Sequence, residues 1–183
     1  MAMRLKEFEH GALAYAAGHA SINCMDTTIK NLSAAGEGLA SFVQLIALKP
    51  LASESQLLQA ADQTINAFLD KSNFVNQPGL EFLLRVSGRK QLAAALDLLQ
   101  VREGFNDCVL MACAAGGPNA AKRAFQAACK SLSFVEEPGL LAESARRNQA
   151  FLLQAYGLNK DALKVASLEQ LVNEKIALVS LES

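Results

Sequence analysis

Tryptophan is absent from this chain and aromatic residues make up only 6% of it, so any core has to be aliphatic. Leu and Ala recur throughout instead, a balance that favours helices packed closely through small side chains. Charge of one sign is lacking too. Seventeen basic residues against 18 acidic ones leave a formal net charge of −1, which gives no whole-molecule field for gripping nucleic acid or anionic lipid. Any polyanion site has to be local. The longest uncharged stretch, His10 to Met25, contains two His, a Ser, an Asn and two Gly, and follows Glu7 and Glu9. It suits neither a signal peptide nor a membrane span, so the expectation is a soluble protein of the cytoplasm, or also of the nucleus in a eukaryote, with no membrane partner.

Metal and catalytic signatures are equally scarce. The four cysteines stand at 24, 108, 113 and 129 without a Cys-x-x-Cys pair or a neighbouring histidine, which removes zinc-ligand and thioredoxin spacings and leaves buried thiols. Cys108 and Cys113 lie in one apolar run, and their five-residue offset puts them on opposite faces of a strand. No phosphate loop, dinucleotide fingerprint, nucleophile elbow or His-Glu-x-x-His occurs. Gly36-Glu37-Gly38 is followed by a strand pattern and reads as a turn. His10 and His19 read as ordinary half-buried or surface residues, and the pairs Glu7/Glu9 and Glu136/Glu137 as solvated turn charges. The expectation is therefore no catalytic residue, no metal, no cofactor and no enzyme activity.

What is present is a chain of 183 residues, 51% hydrophobic, which is the size of one domain spanning 1–183. Ala12 to Ala17, Ser41 to Leu48 and Cys108 to Ala114 are short apolar runs bounded by turn residues and read as strands, with a further extended piece at Leu132 to Val135. The rest carries helical period. Ser53-Glu54-Ser55-Gln56 has the form of a capping box, ahead of a stripe through Leu57, Ala61, Ile65 and Phe68. Pro78 opens a helix that Ser87-Gly88 interrupts before Leu92, and Pro118 opens another. Leu141 to Tyr156 reads as one long helix stopped by Gly157, and a last helix begins near Ser167. The fold class is α/β in the mixed, α+β-like sense: a small sheet of three to five strands packed with helices, and a helical C-terminal half.

One segment stands out physically. Glu81 to Gln91 places Arg85, Arg89 and Lys90 around the Ser87-Gly88 break, and a new helix start there would aim free N–H groups at an anion, with Gly88 removing steric cover. Two arginines and a lysine beside a turn also fit a solvated face. Phe74, Phe82 and Phe105 are the aromatic side chains nearest in sequence that could stack on a base, and helical period already explains Phe82 as core.

From Glu81 to Leu92 the sequence resembles the Glu-Ile-Leu-Leu-Arg-x-Ser-Gly-x-Arg-Gln-Ile stretch of the PRPK-binding-protein family, the small kinase-associated subunit of the KEOPS complex. Glu174-Lys175-Ile176-Ala177-Leu178-Val179 is similar to that family's ending, and Ala155-Tyr156-Gly157-Leu158 resembles the helix stop before it. The similarity runs from about residue 40 to the end. It implies a non-catalytic subunit that binds the small atypical kinase/ATPase of the complex through the kinase N-lobe, and that in archaeal members also holds the CCA end of tRNA for threonylcarbamoyladenosine modification. Lys90 stands where the family has Arg, and Lys lacks the planar bidentate fork. Gln56 stands in the place of a frequent His and Ser53 in that of a Gly. The nucleic-acid residues implied are Arg85, Ser87, Gly88, Arg89, Lys90 and Gln91.

The kinase surface is expected on the last helix, at Leu171, Lys175, Ile176, Leu178 and Val179. Leu168, Leu171 or Val172, and Ile176 can serve one core face, which leaves Leu178, Val179 and Leu181 as surplus hydrophobes near a terminus. The alternative reading is a small-molecule or regulatory domain holding a phosphorylated metabolite at Ser87-Gly88.

Overall fold

The structure, a computed structural model, describes residues 3–181, with the side chains of Ser180 and Leu181 outside the described set. The expectation placed on the Leu181 side chain therefore lies outside the described set. The elements run β1 (Arg4–Phe8), β2 (Gly11–Ile22), α1 (Met25–Gly36), β3 (Phe42–Ala47), α2 (Glu54–Asp70), α3 (Pro78–Ser87), α4 (Leu92–Leu99), β4 (Gly104–Ala114), α5 (Pro118–Leu132), β5 (Val135–Glu136), α6 (Leu140–Arg147), α7 (Gln149–Ala155) and α8 (Leu168–Leu181), with a single-turn helix at Lys160–Lys164. The architecture is mixed α/β, as the sequence predicts. Every strand pairing is antiparallel, and the order is β1-β2-β4-β3 with β5 added to β2.

Alternation along the strands sorts the side chains into two layers. Ala12, Ala14, Ala16 and Ala20 of β2 join Cys108, Leu110 and Ala112 of β4 on one face, under α1 and α5. These are mostly small residues, and α5 meets them with Ala121, Ala124 and Ala128, so helix and sheet approach closely where the Ala-rich composition predicts it. Leu13 and Tyr15 join Val109, Met111 and Cys113 on the other face, under α2, α3 and α6. Cys108 and Cys113 thus fall on opposite faces. Burial pushes both thiols up to about 12, and all four cysteines are free.

Three departures from the sequence reading have local causes. β1 carries no strand signal because Arg-Leu-Lys-Glu-Phe shows no apolar alternation; its residues are exposed or half-buried, as an edge hairpin strand allows. α1 follows β2 directly from a β-conformation Cys24 that provides no side-chain cap, so no start signal marks it. The long helix expected over Leu141 to Tyr156 is two, since Asn148 leaves helical geometry and turns its amide back onto Ser144 O, 2.9 Å away.

Glycine is required at Gly18 of β2. A Cβ on Gly18 would stand 2.1 Å from Val135 O, so the bare backbone there is what lets β5 come alongside β2.

Candidate interaction site

The segments singled out in the sequence lie far apart along the chain and meet in space where the start of α2, the end of α3, the end of α7 and the inner face of α8 come together. Ser53 caps α2, its Oγ accepting from Gln56 N–H at 3.3 Å. The Gln56 side chain completes the box one residue early: its Oε1 accepts from Ala52 N–H at 2.8 Å. Its Nε2 donates to Val86 O at 2.8 Å and to the Tyr156 hydroxyl at 2.6 Å, and that hydroxyl donates to Pro50 O at 2.8 Å. Gln56 is completely buried, so this amide joins α2, the end of α3 and the end of α7 without contact with water. Burial raises the Tyr156 phenol to about 12.

Arg85 is not a phosphate ligand in this geometry. Its side chain is 4% exposed and holds Glu81 Oε1 with two nitrogens, Nε at 2.8 Å and Nη2 at 2.7 Å. The other Glu81 oxygen accepts the Phe74 and Val75 N–H groups at 2.8 and 3.1 Å, so the pair pins the α2–α3 connection. Phe74 covers it, with the Arg85 guanidinium 5.3 Å from the ring centroid. Phe82 is core.

The expected helix start at Ser87-Gly88 is a helix end. Gly88 takes the left-handed conformation at φ 63° and closes α3: its N–H donates to Arg85 O at 3.1 Å, and Arg89 N–H to Leu84 O at 3.2 Å. The N–H groups meant for an anion are therefore spent on the helix's own carbonyls. Ser87 is fully buried, its hydroxyl donating to Leu84 O. Arg89 reaches across to cap the end of α7, its Nη2 donating to Ala155 O. The next helix start is α4, after Gln91, and of the six expected residues Lys90 and Gln91 are the ones exposed.

α8 begins with a complete capping box of its own, Ser167 Oγ accepting from Gln170 N–H at 3.2 Å and Gln170 Oε1 from Ser167 N–H at 2.9 Å. Val172, Ile176 and Val179 form its buried stripe, and the first two cluster with Leu152 and Tyr156. Ile176 and Val179, both expected at the partner surface, are consequently core: positions 172, 176 and 179 fall on one helical face. Leu171, Lys175 and Leu178, one position back in each case, make a separate stripe that is half-buried to exposed, with Leu178 at 41%. The two expected sites adjoin, since a Cβ on Gly88 would meet Ile176 Cγ2 at 3.5 Å and Lys175 Cγ at 3.8 Å.

Another cluster has no counterpart in the sequence reading. His19 on β2 lies opposite Asp107 on β4, Nδ1 to Oδ1 at 2.9 Å, and its Nε2 bonds Glu137 just beyond β5. The exposed Phe105 stacks on the imidazole at 5.1 Å. The Glu137 hydrogen bond, joined by Asp107, holds the His19 pKa above its ordinary value against a partial desolvation that lowers it. Glu137 is thus an ion-pair partner rather than a solvated turn charge. No local motif announces it, because the register of β2 with β4 and β5 is what assembles it.

Among the described residues no group of three or more His, Cys, Asp or Glu side chains is placed to hold a metal ion, and no helix is long and apolar enough to cross a membrane. Neither a protein-family model nor a curated protein matches the chain.

Proposed function

We propose that the chain is a non-catalytic adaptor of a KEOPS-type assembly, which docks the small atypical kinase/ATPase on the outer stripe of α8 and presents tRNA beside it, in the cytoplasm or also the nucleus of a eukaryotic cell. The observation that carries this reading is the two-sided α8: one stripe is spent on the core, and the other sets Leu171 and Leu178 around Lys175 at the surface. Two apolar side chains left on the outer side of a helix offer apolar surface that a partner would cover. The three segments that carry the resemblance also meet in one region, and Lys90 and Gln91 stand exposed near that face. Such a short basic edge suits contact with a single-stranded RNA end, which needs no large positive field. The metabolite alternative loses its support, because the Gly88 and Arg89 N–H groups are already used.

The test is affinity for the purified kinase. Leu178→Glu with Lys175→Glu should weaken it by at least about tenfold, as burying a charge in an apolar interface costs about a kcal/mol or more, with melting unchanged. Full affinity in that variant rejects the α8 surface. Lys90→Glu should lower tRNA affinity and reduce the salt slope by about one; tRNA binding unaltered by it rejects the RNA edge.

A further inference from the structure

β3 ends the sheet, with β4 as its neighbour. Leu48 N–H donates to Asp107 O at 3.0 Å, directly across the ladder. That bond fixes the parity of the strand: Phe42, Gln44 and Ile46 exchange main-chain bonds with β4, and Val43, Leu45 and Ala47 turn their N–H and C=O groups outward. Among the described residues these outward groups have no hydrogen-bond partner.

An edge of this kind is ordinarily blunted by charge, proline or a covering element, and here it is not. It forms the floor of a groove of about 930 Å³. Ile29 and Leu32 of α1 wall one side, and Leu80, Leu83 and Leu96 of α3 and α4 wall the other. Ile29 is 57% exposed at the rim. Among the described residues Glu37 is the one acidic or basic residue lining the groove, so neither a nucleic acid nor a charged metabolite is matched by it.

We propose that this groove binds an extended, uncharged segment of a partner polypeptide as an added strand beside β3. The unpaired main-chain groups call for a β-strand, because alternate N–H and C=O groups at strand spacing are satisfied by another strand. The walls select apolar side chains on both of its faces. Helices stand on both layers of the sheet at this edge, so the space suits one strand rather than the edge of another whole sheet. The site is separate from α8, and its test does not depend on the kinase.

A display library of random dodecapeptides, selected against the full chain, supplies the probe. Selected peptides should be rich in Val, Ile, Leu and Phe and poor in charge, and should slow amide exchange at Leu45 and Ala47. Leu45→Pro removes an outward N–H that bonds nothing in the fold and blocks a strand from seating; it should weaken the selected peptides by at least about tenfold. Ile29→Asp, on the exposed rim, should weaken them as well and keeps the test valid if the proline variant does not fold. Failure to select any peptide, or peptides that bind both variants as tightly as wild type, would overturn the proposal. So would a dimer of the free chain that Leu45→Pro converts to monomer, since that outcome assigns the edge to another copy of the chain.

Discussion

Glu81–Arg85 and His19–Asp107–Glu137 are both clusters of cation and carboxylate, and they differ in nearly every physical respect. The Glu81 pair joins residues four apart on one helix, with side chains 0% and 4% exposed. The His19 cluster joins residues 88 and 118 positions apart, with side chains 23%, 43% and 48% exposed. In sequence, Arg85 belongs to a pattern that suits a surface binding site, whereas no pattern at all marks His19, Asp107 and Glu137. In the fold, the Glu81 pair is a fastener of the α2–α3 connection and the His19 cluster is the accessible one. Local spacing reports which charges can meet, and burial decides what the meeting does.

The sharpest way to break this contrast is to remove one partner from each. Arg85→Ala leaves the Glu81 carboxylate buried with two main-chain donors and no cation, and should cost about 3–5 kcal/mol in urea denaturation. Glu81→Leu with Arg85→Met should recover part of that loss, the Phe74 and Val75 N–H groups remaining unpaired. Reversing Arg85 and Arg89 to Glu, attractive from sequence as a clean test of RNA binding, should unfold the protein instead. An Arg85→Ala variant as stable as wild type would show that the buried pair fastens nothing.

A smaller effect is expected at Gln56, a buried neutral hub against which the buried ion pair can be measured. Gln56→Leu strands Ala52 N–H, leaves Val86 O with the long 3.5 Å bond from the Tyr156 hydroxyl alone and removes the donor to Tyr156, so the loss should be about 2–3 kcal/mol, less than for Arg85→Ala. Tyr156→Phe should lose about 1 kcal/mol. If Gln56→Leu exceeded Arg85→Ala, charge would not be what makes the α3 pair costly to break.

These two sites also mark how far the sequence can be read. Strands β2, β3 and β4 are legible because each is an apolar run closed by turn residues, and α2 because Ser53 and Gln56 stand at capping-box spacing. The Gln56 side chain's further bonds are not, as they depend on residues 30 and 100 positions away. On α8 the spacing of 171, 175 and 178 against 172, 176 and 179 holds both stripes; sequence alone cannot say which one faces inward, and Val179, expected outward, faces in. Gly88 suits a helix start in the sequence because a glycine after serine fits either end. Its positive φ, a property of the folded backbone, makes it an end.

The smallest effect belongs to His19, and it carries a pH signature that Arg85 lacks. The imidazolium sits between two carboxylates and under the Phe105 ring, so its protonated form is favoured by Glu137 first and Asp107 next. A pKa raised in the folded state means that the stabilisation is complete below the unfolded value of about 6.5 and is lost as pH rises through the higher folded value. Because the three side chains are partly in water, the gain should be at most about 1 kcal/mol and should shrink with salt. Stability measured across that window should fall with rising pH in wild type, and the fall should flatten in His19→Gln. Nuclear magnetic resonance titration of the imidazole should place its midpoint above 6.5 and move it down in Glu137→Gln. A midpoint unmoved by Glu137→Gln would mean that β5 and its following turn are not held to β2 by this bond in solution. The accessible cluster would then be reduced to the His19–Asp107 pair across the β2–β4 ladder.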